Sequence, residues 1–152
     1  MDKKLKAKIK ALTAFAEAVE AGDEALLRKM WAANPQMFDH ASSIGMLVNG
    51  AGVPVPGVTK GSLGFLALEV VVAGIEAKVD FKAPFGKLQN TVLMSAAAFN
   101  NFELVNLLLP VSDLLAKNAD GRTAADYARW AGANEMADFL EATALAQSFK
   151  TR

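Results

Sequence analysis

Between Leu12 and Val19, the apolar residues Leu12, Phe15, Ala16 and Val19 recur at spacings of three and four. That period paints one face of a helix. Ala21-Gly22-Asp23 interrupts it. Gly22 suits a left-handed helix end and Asp23 suits the cap of the next helix. Leu26, Leu27, Met30 and Trp31 then supply a second apolar face, which Asn34-Pro35 ends, because proline cannot continue a helix. The first unit is therefore expected to be two short helices joined by a tight turn.

The middle is less regular. A first helix is expected near 43–48 and a second near 63–74. Between them, residues 49–62 read NGAGVPVPGVTKGS, with four glycines and two prolines. Such a segment predicts a long loop and no regular helix. The most apolar stretch, LGFLALEVVVAGI from Leu63 to Ile75, carries Glu69 at its centre. It is shorter than the ~20 residues of a membrane span, so a buried helix is expected and no membrane span. Residues 76–90 show brief alternation at Ala77, Val79 and Phe81, with a turn at Pro84 and Gly86. This predicts an extended, hairpin-like segment.

The last third repeats itself. TVLMSAAAFNNFELVNLLL from Thr91 aligns with TAADYARWAGANEMADFL from Thr123 at a spacing of 32 residues. Ala96 falls on Ala128, Asn100 on Gly132, Glu103 on Glu135, Leu104 on Met136, Leu107 on Phe139 and Leu108 on Leu140. A fixed period in the thirties, with a helix-turn-helix in each period, is the signature of a stacked array. Ala96, Ala97 and Ala128 are small where two helices must approach closely.

Composition narrows the function. The chain has 152 residues, 53% of them hydrophobic, which is enough to bury a core. Its 29 alanines favour helix-on-helix packing. Sixteen basic residues balance sixteen acidic ones. The basic excess of a nucleic-acid binder is missing, so no nucleic-acid partner is expected. Cysteine is absent, which removes disulfides and thiolate metal sites. The lysines at 3, 4, 6, 8 and 10 resemble the start of a signal peptide, but Glu17 and Glu20 break the apolar stretch that should follow. They are expected to form a solvated first helical turn. The compartment is expected to be cytoplasmic, or periplasmic if a signal peptide has been removed.

The repeated residues resemble the ankyrin-repeat family, in a divergent, short, bacterial-type array. Gly121-x-Thr123 stands where that family has its turn glycine and capping threonine, and Thr123-Ala124-x-Asp126-x-Ala128-Arg129 looks like a closing repeat. Gly132 sits at the glycine between helices. Ala18 to Leu27, with its Ala21-Gly22-Asp23, resembles an opening half-repeat, while Thr-Val-Leu-Met at 91–94 departs from the family's Thr-Pro-Leu-His. Met94 is expected to lose the hydrogen bonds that a histidine makes there. The resemblance implies an all-α ankyrin-repeat solenoid of about four stacked helix-turn-helix units with short hairpin-like loops. It is expected to form a single domain over 1–152, with units at 1–39, 40–85, 86–117 and 118–152.

Catalysis has no visible chemistry. His40 is the only histidine, and no Gly-x-Ser-x-Gly elbow or phosphate loop is present. Neither cofactor nor metal is expected, and the Asp23-Glu24 pair suits a helix start. The resemblance instead implies a protein-binding module whose concave face is built from hairpin tips and first helices. Carried onto this chain, those positions are Lys87, Leu88, Asn90, Ala119, Asp120 and Arg122 at the tips, and Ala98, Phe99, Trp130 and Ala131 on the helices. Aromatic residues and arginine dominate binding hot spots, which singles out Phe99 and Trp130. Val53, Pro54, Val55 and Pro56 form an apolar loop tip, a candidate wedge into a partner. The expected partner is another protein, in the sharpest version an enzyme that this chain inhibits, as an immunity protein does. The chain alone is expected to be monomeric. The alternatives are a self-associating assembly protein, or an enzyme with a site near Asp39 and His40.

Overall fold

The computed structural model describes residues 2–52 and 63–150. Eight α-helices occur among them: α1 (Lys3–Ala21), α2 (Glu24–Ala33), α3 (Ala41–Gly52), α4 (Gly64–Glu76), α5 (Val92–Ala98), α6 (Phe102–Leu108), α7 (Ala124–Trp130) and α8 (Asn134–Lys150). Short 3-10 turns cover Pro35–Phe38 and Leu109–Val111. No strand occurs among the described residues; the expected hairpin at 76–90 reduces to one antiparallel bridge between Phe85 and Asn90.

The helices pair consecutively and the pairs stack. α1 packs on α3, α3 on α5 and α5 on α7, so the first helices form one continuous layer. The second helices form the other layer, where α4 meets α6. Leu27, Ile44, Leu47, Leu66, Leu93, Leu104, Met136 and Leu140 fill the space between the layers and are fully buried. Each unit's apolar face is thus completed by its neighbours, the condition that defines a repeat array.

Three of the turns within pairs are the same object. At Gly22, Asn100 and Gly132 the backbone takes positive φ, at 66°, 59° and 89°. The next amide in each case donates five residues back: Asp23 to Ala18, Asn101 to Ala96 and Ala133 to Ala128, at 2.8–3.0 Å. This places Ala18, Ala96 and Ala128 at one position of the repeat, and all three are buried. Glycine is the usual residue for that conformation and asparagine the next best. The alignment of Asn100 with Gly132 follows from this constraint.

Thr91 and Thr123 cap α5 and α7 as the repeat predicts, accepting hydrogen bonds from the Met94 and Asp126 amides. The expectation for Met94 is corrected: its Sδ accepts from the Thr91 amide at 3.4 Å. Sulfur is a weak acceptor, but it fills the reciprocal place that Asp126 fills for Thr123 at 3.1 Å.

The loop expected over 49–62 is also corrected at its start, because α3 runs through Gly50 to Gly52. Its glycines are contact surfaces. A Cβ on Gly45 would collide with the ring of Phe85, one on Gly50 with Val19, and one on Gly52 with the ring of Phe99. Glycine costs about 1 kcal/mol of helix propensity, but here it admits a neighbouring side chain against the helix backbone.

On the second-helix side, Arg28 of α2 grips Glu69 of α4 through both carboxylate oxygens, at 2.7 and 3.1 Å, and also bonds Glu24. Arg28 holds the Glu69 carboxyl below its ordinary range. A carboxylate with a depressed native pKa contributes stability above its unfolded pKa, and that contribution disappears as pH falls through the native one. Melting temperatures of wild type and Glu69→Gln should therefore differ at neutral pH and converge in acid; a gap of constant size across the titration would exclude the pair as its source. Gly45→Val should drive Phe85 off α3 and cost about 1–3 kcal/mol in urea denaturation, the usual range for overpacking.

Candidate interaction surface

The loops at 86–90 and 118–122 lie side by side. The Ala119 amide donates to the Leu88 carbonyl at 2.8 Å, and the Phe85 amide donates to the Asn90 carbonyl at 2.9 Å. Both loops turn alike, with the Gln89 amide donating to the Gly86 carbonyl and the Gly121 amide to the Asn118 carbonyl. Gln89 (φ 52°) and Gly121 (φ 76°) are 32 residues apart and share the left-handed conformation.

Asn118 ties the loops together. Its Oδ1 accepts from the Asp120 and Arg122 amides, both at 3.0 Å, and its Nδ2 donates to Asn90 Oδ1 at 2.9 Å. Both asparagines are buried, Asn118 at 6% exposure and Asn90 at 7%. This corrects the expectation that Asn90 is open to a partner. Its side chain is spent on the neighbouring unit, and it braces the surface from beneath. Asn118 was invisible in the sequence because its role arises only when two loops meet.

Above this brace the exposed groups run on from one another. Lys87 and Leu88 are exposed on the first tip, and Ala119 and Asp120 on the second. Arg122 bonds Asp120 at 3.0 Å, and its guanidinium carbon lies 4.9 Å from the centre of the Trp130 ring. Trp130 stacks on Tyr127 with ring centres 5.7 Å apart. It is nonetheless 63% exposed. Half-buried Arg122 and Tyr127 thus hold an exposed Trp130 in one cluster. Cation–π contact and stacking limit its motion without hiding it.

Phe99 is engaged differently. Its ring covers Gly52 at the end of α3 and stays 40% exposed. Ala98 beside it is half-buried, and Ala131 is exposed next to Trp130. Val53, Pro54, Val55 and Pro56 lie outside the described residues. His40 and Asp39 are exposed, and the His40 carbonyl accepts from the Ser43 hydroxyl and the Ile44 amide. No group of three or more His, Cys, Asp or Glu side chains able to hold a metal ion occurs among the described residues. None of their helices is long and apolar enough to cross a membrane.

Paired helices, shared turns and interlocked loop tips define an all-α repeat solenoid. Residues 86–128 match the family described as ankyrin repeats in many copies. The chain as a whole folds as an all-α solenoid of about four helix-turn-helix units, and its match to that family lies in residues 86–128. A chain from the crystal structure of the yeast ribosomal protein Rps3 in complex with its chaperone Yar1 superposes with a TM-score of 0.58, at 18% identity. That match covers 91% of this chain and 92% of the other. At that identity it speaks for the fold alone. No curated protein matches the sequence.

Asn118→Ala should remove three hydrogen bonds and leave Asn90 buried without its partner. A loss of about 2–3 kcal/mol in equilibrium denaturation is expected, since an unsatisfied buried group adds its desolvation cost. A loss below about 0.5 kcal/mol would show that the loops hold without it.

Proposed function

We propose that the chain is a noncatalytic protein-binding module. Its contact surface comprises the loop tips at Lys87, Leu88, Asp120 and Arg122 together with Trp130, and Phe99 extends it toward α3. The observation that carries this reading is the exposed Trp130, held between a half-buried Arg122 and a half-buried Tyr127. Burying a pre-held arginine and tryptophan costs little further ordering, and such residues supply most of the energy in protein interfaces. In its finer form, the surface closes over a partner enzyme and inhibits it, in the manner of an immunity protein. The single-domain organisation, the four unit boundaries and a monomeric free state belong to the same reading.

The test is capture from source-cell lysate with wild type and the Arg122→Ala/Trp130→Ala variant, after both are shown to melt alike. Loss of one partner by a hundredfold or more in affinity is expected, because hot-spot truncations cost about 2 kcal/mol or more each. Equal capture by both proteins would remove this surface from the interaction. Inhibition of a captured enzyme by wild type alone would support the finer form. Concentration-dependent sedimentation that the same variant abolishes would replace it with self-association. Turnover lost in His40→Ala would point instead to an enzyme.

A further inference from the structure

The three matched turns fix where the repeat's first helix should begin. Thr91 lies nine residues before Asn100, and Thr123 nine before Gly132. Nine residues before Gly22 stands Thr13. Thr91 and Thr123 are caps, whereas Thr13 lies inside α1 and its hydroxyl donates to the Ile9 carbonyl at 2.8 Å. The helix therefore continues for ten residues, 3–12, beyond the start of its counterparts. Every residue from 3 to 14 is exposed.

This extension is two-faced. Leu5, Ile9 and Leu12 recur at four and three, which puts them on one stripe of α1. They are 49%, 46% and 59% exposed. Five lysines surround the stripe, and no acidic residue occurs from Lys3 to Ala16. Among the described residues none of these lysines is ion-paired. The chain's net charge is zero, so this is a local basic block offset by acidic groups elsewhere.

We propose that residues 3–12 of α1 lie on an anionic lipid surface, with Leu5, Ile9 and Leu12 entering the headgroup boundary and the lysines meeting lipid charge. The composition favours lipid over an acidic protein. Lysine is depleted from protein interfaces, which prefer arginine and aromatic residues, and this segment has neither. Lysine stems instead run along an apolar boundary and keep their charge in water, the arrangement of interfacial helices. The inference stands apart from the loop-tip surface and does not depend on it.

Vesicle sedimentation with the full chain tests it, using phosphatidylcholine alone and phosphatidylcholine mixed with phosphatidylserine. Wild type should pellet with the mixed vesicles and not with the neutral ones, and added salt should release it. Each lysine near such a surface is worth about fivefold in partition. Lys4→Gln/Lys6→Gln/Lys8→Gln should therefore weaken binding roughly a hundredfold. Leu5→Ser/Ile9→Ser should weaken it at least tenfold. All five positions are exposed, so the variants should keep the wild-type melting temperature, which circular dichroism checks. No binding to mixed vesicles, or equal binding to both kinds, overturns the proposal. So does a dimer that Leu5→Ser/Ile9→Ser dissolves without any change in vesicle binding, since the stripe then belongs to a second copy.

Discussion

A helix pair in this array can bury its apolar face only if the next pair comes close, and α3 sets how close. It carries glycine at 45, 50 and 52, where Phe85, Val19 and Phe99 press against it. Those three contacts come from the segments before and after α3 in the chain. Any side chain at these positions would hold the units apart. On the other neighbours the same need is met by alanine, at Ala18, Ala96 and Ala128 beside each turn. Close approach then lets the first helices form one layer, and that layer carries Trp130 on α7 and the loop that presents Arg122. The outward-facing cluster thus depends on small residues well beneath it.

The division between brace and contact follows from the loops. Asn118 and Asn90 face inward and bond each other, with Asn118 also holding the Asp120 and Arg122 amides, while the Asp120, Arg122 and Trp130 side chains hold one another. A surface of this kind keeps its shape without a partner. The residues most costly to the fold and those most open to contact are therefore different residues, and effects on stability and on binding are separable.

Much of this was legible in the sequence because the units repeat. The pairing of Thr91 with Thr123 and of Asn100 with Gly132 needed only a spacing, and both pairs perform one structural task. What escaped were features that exist only between units. Gly50 and Gly52 argue for a loop when judged by propensity, and their use appears only with Val19 and Phe99 in place. Asn90 belongs by position to an exposed tip, yet the adjacent loop covers it. Thr13 stands where the units of α5 and α7 have a capping threonine, but nothing in its own residue type says that the helix continues past it.

The lengths of the first helices have a consequence for how the molecule comes apart. α5 and α7 are seven residues each, and α1 is nineteen. A seven-residue helix does not persist alone in water, and Val92 through Ala97 are all buried between α3 and α7. α5 therefore exists only while both flanks are in place, and its amides should exchange with solvent only through opening of the whole array. The first ten residues of α1 have no layer beneath them, and they can fray and re-form without disturbing it. Cooperativity is thus concentrated at the centre of the chain, leaving the amino-terminal turns free to order on their own schedule.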